Sequence, residues 1–573
     1  MENINSKRKK QKNYFNYNDV IVLFIFIVVA YLLVNGWHDM RSTFIVGQTY
    51  KITLDTNNLP YYTLRSMMRM VIGLGLSFIF AVVFGALSAK FKAIERVVLP
   101  FVNFMESVPL VGFLTFTTVY FLGVFPNSVM GLECAAIFGV FTGQAWNMCL
   151  VVYQTLKIVP YELVEAANIF QYNAWQRFWR LEFPYSIPGL LWNTMVSQSA
   201  AWFALVATEA IPVKTNTVEL PGVGSYIAES LIIGNAHAVI WAIIALISSV
   251  IVLDQLMFRP LVRYANKFKF EDLASKNENT SWFFNCMADS NVCRFLGQQL
   301  NLISYFLLFT LSMVYRKLNI GKFKIPAMGW YLLSKIWYTV IITLLVYGCY
   351  NLWQYFPRLE VSKMPVLMLE TTIRVVIAML LSILIFVPLG IWIGLNPKLV
   401  RLFQPIIQVL AALPCNIFYP LMAIFLVATH QNLSVWSIFL IMLGTQWYIL
   451  FNVIAGASTI PNQLLEVTKN FGVRGLLWWR KFLIPAIFPY IVTGIISAAG
   501  GAWNASIAGE MLTWGSSTKV TQGLGAYIAN ASTNSQMQNS ALGCAAMCSL
   551  VAICIIIIWK PLYRLAENRF KIS

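Results

Sequence analysis

Four glutamates are the residues of this 573-residue chain whose positions suggest chemistry. Glu165 and Glu466 lie in polar, tryptophan-containing loops, nineteen positions before a proline in each loop, whereas Glu209 and Glu510 lie in long apolar segments. A carboxylate in a polar loop can contact a basic group on a partner protein. One in an apolar segment either ends a helix near the membrane interface or lines a path through the bilayer. Both roles are non-covalent.

The remaining polar residues do not support catalysis. The three histidines, His38, His237 and His430, have no metal-binding spacing, and no nucleophile stands with a base in a recognisable arrangement. The sequence contains no G-x-x-x-x-G-K-[ST] phosphate loop. We therefore predict no catalytic residue, no metal site and no cofactor in this chain.

The composition is that of an integral membrane protein. Hydrophobic residues make up 58% of the chain, charged residues 11%, and the mean hydropathy is +0.67, which argues against a soluble enzyme. About 32 of the 41 Lys and Arg residues lie on the side that also carries the two glutamate loops, as expected of cytoplasmic loops. The net charge of +18 therefore needs no nucleic-acid partner, and both termini are predicted to be cytoplasmic.

Apolar helices must position these glutamates. The six predicted membrane helices of the first half are 20–37, 64–89, 97–124, 129–156, 186–211 and 236–258. Each glutamate loop is predicted to form a short amphipathic helix, a turn and a second helix. In the first of these helices Leu163, Ala167 and Phe170 share one face, and in the second Leu464, Thr468 and Phe471 do.

The same landmarks recur in the second half. Arg69 and Pro109 recur 305 positions later as Arg374 and Pro414, and from Trp146 onward the offset becomes 301. A constant offset over more than a hundred residues, broken by one four-residue deletion, indicates an internal duplication. Six spans per half make the repeats parallel. The predicted fold class is therefore all-α, a polytopic membrane protein of about 12 transmembrane helices in two parallel six-helix halves.

Four regions follow from this pattern. Residues 1–19 are a basic cytoplasmic tail, 20–270 the first half, 271–330 a cytoplasmic linker and 331–573 the second half. The linker contains an apolar stretch, 300–315, that is barely long enough to span the bilayer. Spanning would invert the basic bias of all later loops, so we predict an interfacial helix or one packed against the bundle.

The loops and the helices after them carry a family resemblance. The helix-borne Glu165-Ala166-Ala167 resembles the coupling loop of binding-protein-dependent ABC importer permeases, and residues 202–209 resemble the next helix in their nitrate/sulfonate/taurine/bicarbonate branch. Residues 500–510, followed by 523–529, are similar to duplicated anion-transport permeases whose two halves are fused. The resemblance covers about 64–263 and 371–564.

This sequence departs from the family pattern in both loops. Gln171 stands where the family has glycine, and the second loop keeps Gly472 but has Glu466-Val467-Thr468 in place of Glu-Ala-Ala. Because glycine takes a positive φ freely, we expect Gly472 to tolerate substitution less well than Gln171.

The resemblance implies a fold like that of type I ABC importer permeases, in the inner membrane of a bacterial cell. It implies two ABC ATPase subunits that bind ATP, a periplasmic or lipid-anchored substrate-binding protein, and a small transported anion. The predicted ATPase-coupling residues are Glu165, Ala166, Ala167, Gln171, Glu466 and Gly472. The candidate residues of the translocation path are Trp202, Glu209, Trp503, Asn504 and Glu510.

Simpler interpretations of the same residues remain open. Glu165 and Glu466 could be solvated acids that favour the dipole of a helix start, and Trp202 and Trp503 could be packing or interface aromatics. An ion-coupled secondary transporter also commonly has twelve spans in two parallel repeats. The paired cytoplasmic glutamate loops argue against it, because such a carrier has no ATPase to contact.

Overall fold

A computed structural model of the protein describes residues 16–40, 52–126, 128–209, 212–213, 216–217, 220–268, 282–317, 327–354, 360–534 and 536–569. Most of the predicted basic tail, residues 1–15, and parts of the predicted linker, residues 271–281 and 318–326, lie outside this range.

The described chain is almost entirely helical, which confirms the predicted fold class. The helices up to the linker are α1 (Tyr17–Met40), α2 (Leu59–Lys90), α3 (Lys92–Ser107), α4 (Leu110–Val124), α5 (Met130–Lys157), α6 (Tyr161–Ile169), α7 (Ala174–Arg177), α8 (Phe183–Glu209), α9 (Val223–Ile233), α10 (Ala236–Leu253) and α11 (Arg259–Ala265). The linker and the second half contain α12 (Trp282–Asp289), α13 (Asn291–Lys317), α14 (Ala327–Gln354), α15 (Met364–Gly394), α16 (Pro397–Ala412), α17 (Tyr419–Thr429), α18 (Leu433–Leu443), α19 (Gln446–Ser458), α20 (Asn462–Asn470), α21 (Gly475–Trp478), α22 (Ile484–Gly509), α23 (Leu524–Thr533), α24 (Met537–Cys554) and α25 (Lys560–Arg569).

Two short antiparallel hairpins follow α8 and α22. Their strands are β1 (Pro212–Val213), β2 (Asn216–Thr217), β3 (Met511–Trp514) and β4 (Ser517–Val520). In the second hairpin Met511 pairs with Val520 and Trp514 with Ser517. Each hairpin carries the chain from the end of a long helix to the glycine-containing segment before α9 or α23.

The duplication is visible in the irregular elements as well as in the helices. Helix α3 recurs as α16 at an offset of 305, and α10 recurs as α24 at an offset of 301. Two π-helical segments, Phe178–Glu182 and Asp254–Phe258, recur at the same offset of 301 as Trp479–Leu483 and Ile555–Trp559. Since π-turns are rare, their recurrence at equivalent positions confirms the internal repeat.

The described helices include fewer candidate membrane spans than the sequence predicts. Among the described residues, seven helices are long and apolar enough to cross a membrane, and a bent pair formed by α16 and Cys415–Thr429 would make eight. The prediction of about 12 spans is therefore not confirmed and stays a prediction.

One predicted helix is broken in the structure. The segment 97–124 was expected to form one long helix, but α3 ends at Ser107 and α4 begins at Leu110. Val108 has an extended backbone, with φ −70° and ψ 127°. The physical reason is Pro109, whose ring disfavours the helical conformation in the preceding residue. The equivalent break in the second repeat, between α16 and Cys415–Thr429, bends the chain by 82°.

Helix α22 organises the core of the second repeat. Its buried residues Ile487, Ile491, Ile495, Ala498 and Ala502 recur every three or four positions and form one stripe. The stripe packs against α15, α18 and α19. Alanines in this stripe let the helix backbones approach closely.

The chain divides into two compact units. The first contains Met1–Asp39, Val151–Trp192 and Ile251–Leu333, and the second contains Met40–Leu150, Asn193–Val250 and Ser334–Ser573.

Within the first unit, α13 includes the apolar stretch of the linker and contacts α7. Its start is capped by Asp19 of α1, which accepts hydrogen bonds from Ser290 Oγ at 2.7 Å and Val292 N at 3.1 Å. The expectation that this stretch lies at the interface or against the bundle, rather than across the bilayer, stays a prediction.

Candidate coupling loops, ion-pair networks and translocation cavity

Both glutamate loops fold in the same way. Helices α6 and α20 begin directly after Pro160 and Pro461, and short helices α7 and α21 follow them. The second helix of each loop was predicted as a separate element, but α7 and α21 continue through π-helical segments into α8 and α22. We call the region 160–177 the first coupling hairpin and 461–478 the second.

The first hairpin has a stronger helix start at α7. The Asn173 side chain accepts a hydrogen bond from Gln176 N at 2.8 Å, and the Gln176 side chain accepts one from Asn173 N at 3.1 Å. This capping box satisfies two backbone donors at once. In the second hairpin Arg474 occupies the same position and makes no side-chain cap.

The turn in each hairpin is a left-handed helix end. Gln171 has φ +52° and Gly472 has φ +64°. Tyr172 N donates to Ala167 O and Val473 N donates to Thr468 O, both at 3.0 Å, which is the long hydrogen bond of a Schellman motif. In the first hairpin, Gln171 therefore adopts a left-handed backbone conformation that glycine takes easily. This conformation is unfavourable for a residue with a side chain.

We expect Gly472→Ala to weaken the second hairpin by about 1 kcal/mol and Gln171→Gly to strengthen the first by a similar amount. A β-carbon on Gly472 would meet no atom within 4 Å, so backbone strain is the expected cause. Hydrogen exchange of the amides at 171–173 and 472–474 measures both changes. Gly75→Ala, which also meets open space but has no left-handed φ, is the control, and equal exchange in all variants would contradict the prediction.

The predicted coupling residues have different exposures. Glu165 and Glu466 are exposed and form no ion pair with any described residue. Ala166 is half-buried, and Ala167 is buried. Both acids are therefore available to a partner, and their role in coupling stays a prediction.

Large apolar side chains next to the acids are also exposed. Ile169 and Phe170 are 79% and 71% exposed, and Phe471 and Leu476 are 80% and 82% exposed. The helical period groups Phe170 with Leu163 and Ala167, and Phe471 with Leu464 and Thr468. Phe170 and Phe471 are nevertheless strongly exposed, because each lies at the helix end where the left-handed turn redirects the chain. Grouped exposed apolar residues of this kind mark an interaction surface.

A buried ion-pair network ties the helices of the first repeat together. Arg69 Nε lies 2.6 Å from Glu133 Oε2, and its Nη1 lies 2.7 Å from Glu209 Oε1. Arg65 Nη2 lies 2.5 Å from the other Glu133 oxygen. All four side chains are buried. The network joins the start of α2, the start of α5 and the end of α8.

Glu209 also holds the segment that begins α9. It accepts hydrogen bonds from Ser66 Oγ at 2.6 Å and from Gly224 N at 2.8 Å. The amide donor belongs to the first turn of α9, where a negative charge is favoured. A β-carbon on Gly222 would overlap the Glu209 carboxylate, so only glycine allows this close approach.

The second repeat has a reduced form of this network. Glu510 accepts from Thr371 Oγ1 at 2.9 Å, from Ala526 N at 3.0 Å and from Arg374 Nη1 at 3.1 Å. Arg65 is replaced at the offset of 305 by Glu370, which pairs with Arg374 at 3.2 Å and is 43% exposed. The two repeats thus share the central arginine and glutamate but differ in the charges around them.

The sequence contains a signal for these networks. Arg69 and Arg374 are matched by the repeat, and Glu133, which was not among the predicted site residues, falls inside a predicted membrane span. An ionisable residue in such a segment needs a partner or a function.

The five candidate path residues do not lie together. Trp202 and Trp503 are almost fully buried, and Glu209 and Glu510 are held by their ion pairs with Arg69 and Arg374. Of the five, Asn504 lines the cavity described next, and the other four do not line it. A path role for all five residues stays a prediction.

The cavity has a volume of about 100 Å³ and is built by both repeats within the second compact unit. Asn504 links the two repeats at the cavity: its Oδ1 accepts a hydrogen bond from Leu110 N at 2.7 Å, and its Nδ2 donates one to Gly500 O at 3.1 Å. The other lining residues are Met105, Glu106, Val108, Thr142, Gly143, Trp146, Asn147, Ser199, Ala200, Phe203, Cys415, Gly444, Tyr448, Ser497, Gly501 and Ala505. Glu106 was not among the predicted site residues, although it falls inside the predicted span 97–124.

Known permeases resemble parts of this chain. The nitrate import permease protein NrtB of Leptolyngbya laminosa is 32% identical over 142 residues, which are 25% of this chain and 50% of NrtB. The bicarbonate transport system permease protein CmpB of a Synechocystis species is 35% identical over 135 residues, 24% of this chain and 47% of CmpB. The taurine transport system permease protein TauC of Escherichia coli is 25% identical over 160 residues, 28% of this chain and 54% of TauC. The chain thus spans about half the length of the curated relatives that it matches.

A family pattern matches much more of the chain. The pattern described as "Binding-protein-dependent transport system inner membrane component" matches twice, at residues 81–259 and 386–572. The two matches cover more than half of the chain and coincide with the two structural repeats. The chain therefore belongs to the family of binding-protein-dependent transport system inner membrane components, with the family domain present twice.

Proposed function

We propose that this chain is the transmembrane permease subunit of an ATP-driven importer for a small anion, with both halves of the transport path in one polypeptide. The observation that carries the proposal is the pair of equivalent coupling hairpins, each with an exposed acid beside exposed apolar side chains. The named substrates of the relatives, nitrate, bicarbonate and taurine, support an anion as the transported class. The chain lies in the inner membrane of a bacterial cell, with both termini in the cytoplasm.

In this proposal the chain hydrolyses no ATP. One separate ABC ATPase subunit docks at each hairpin, so that Phe170 and Phe471 insert into apolar pockets while Glu165 and Glu466 face basic groups. Closure of the two ATPases on ATP then moves the hairpins, and α8 and α22 pass this movement to the bundle as rigid helices. A substrate-binding protein delivers the substrate on the opposite side of the membrane.

The composition of the complex tests the proposal. Co-expression with the cognate ATPase should give one permease chain with two ATPase subunits, measured by native mass spectrometry. The permease purified alone should bind no ATP in an equilibrium binding assay. A stable complex with a single ATPase copy, or ATP hydrolysis by the permease alone, would contradict the assignment.

A further inference from the structure

The cavity carries one carboxylic acid without an opposing charge. Among the described residues that line it, Glu106 is the one Asp or Glu, and none is Lys, Arg or His. No hydrogen bond or ion pair joins Glu106 to any described residue. Glu106 is half-buried, and a carboxylate partly withdrawn from water is costly unless a cation or a set of donors faces it. The described lining therefore includes no basic side chain that would stabilise its charge.

The local backbone also favours a positive charge near Glu106. Glu106 is the penultimate residue of α3, and the C-terminal end of a helix favours positive charge. Helix α4 begins close by, and a helix start can bind anions through its free amides. Here that site is partly occupied, because the Leu110 amide already donates to Asn504 Oδ1 at 2.7 Å. The cavity therefore disfavours a simple anion, because Glu106 would repel it and the Leu110 amide is already hydrogen-bonded to Asn504.

Aromatic residues complete the wall. Trp146, Phe203 and Tyr448 line the same cavity. The Trp146 ring is fixed edge-on by Phe80 and Phe101, with ring centroids 5.4 and 5.8 Å apart. A carboxylate beside aromatic faces is the arrangement that binds ammonium groups in proteins. Since one water needs roughly 10–15 Å³, the cavity of about 100 Å³ has room for one small solute.

We propose that this cavity is a substrate site that receives an ammonium group at Glu106, so that the transported solute is a zwitterion, with an ammonium group beside its anionic group, rather than a simple oxyanion. The inference rests on the proposed importer function. Asn147, Ser199 and Asn504 would then hydrogen-bond the polar end of the solute. The second repeat has Ala411 at the position equivalent to Glu106, so the site is asymmetric and takes one ammonium group.

Equilibrium binding to the detergent-purified full-length chain tests the site, with radiolabelled taurine, tetramethylammonium and nitrate as probes. The wild-type protein should bind taurine and tetramethylammonium more tightly than nitrate. Glu106→Gln should weaken binding of both ammonium probes at least tenfold and leave nitrate unchanged, whereas Glu106→Asp should retain part of the affinity. Glu95→Gln, which removes an acid from the same helix outside the cavity lining, should bind like the wild type.

The possible failures are distinguishable. Preferential binding of nitrate, no binding of either ammonium probe, or equal binding by the wild type and Glu106→Gln would overturn the zwitterion site. None of these results would affect the importer assignment, which depends on assembly with two ATPase subunits. If that assembly fails, the proposed importer function is contradicted. The binding data would still show whether the cavity binds ammonium groups.

Discussion

Replacing Arg69 with methionine should destabilise the protein by about 3–5 kcal/mol. Methionine fills a similar volume but leaves Glu133 with Arg65 alone and Glu209 without a cation. Both carboxylates stay buried, and an uncompensated buried charge costs more than the original pair contributed. The measurement is the thermal unfolding midpoint of the purified protein, together with the folded fraction in size-exclusion chromatography.

The second repeat supplies the matched control. Arg374→Met should destabilise less, because Arg374 pairs with one buried carboxylate, Glu510, and with the partly exposed Glu370, whereas Arg69 pairs with two buried carboxylates. The double variant Arg69→Met with Glu209→Gln should regain part of the loss, since no uncompensated charge is left at residue 209. Equal destabilisation by the two arginine variants, or no recovery in the double variant, would show that the buried charges do not depend on Arg69 for their stabilisation.

Changes in the coupling hairpins should act on partner binding and leave the fold intact. Phe471→Asp should weaken binding of the ATPase subunit by about 2 kcal/mol or more, roughly 30-fold, because it removes an exposed apolar anchor at a proposed interface. Reversing the charge with Glu165→Lys or Glu466→Lys should cost roughly 1–3 kcal/mol, the range of partly exposed polar contacts. Titration of the permease with its ATPase and substrate-stimulated ATP hydrolysis measure both effects.

Val520→Asp is the control for the apolar change. Val520 is 56% exposed, but it lies in the β3–β4 hairpin away from either coupling hairpin in the sequence. It should bind the ATPase like the wild type. Normal coupling in both lysine variants would leave the glutamates as solvated helix residues and return the secondary transporter to consideration.

The sequence by itself determined the class of protein and its internal duplication. A long apolar segment predicts a membrane helix, because backbone polar groups in lipid must be hydrogen-bonded within the segment itself. This requirement does not depend on how the helices pack. The offsets of 305 and 301 revealed the repeat, and the same offsets relate α3 to α16 and α10 to α24. The two coupling hairpins were also found from the sequence, because prolines and helical periods are local signals.

The tertiary structure decided what the charged residues do. Pairing Arg69 with Glu133 and Glu209 depends on three helices whose contacts span up to 140 positions in the sequence, and no local pattern encodes such contacts. The same applies to the cavity, where Glu106 and Asn504 come from different repeats. The exposure of Phe170, which the helical period groups with the buried Ala167, has a related cause: a helical period holds only while the backbone stays helical, and the left-handed Gln171 ends the helix.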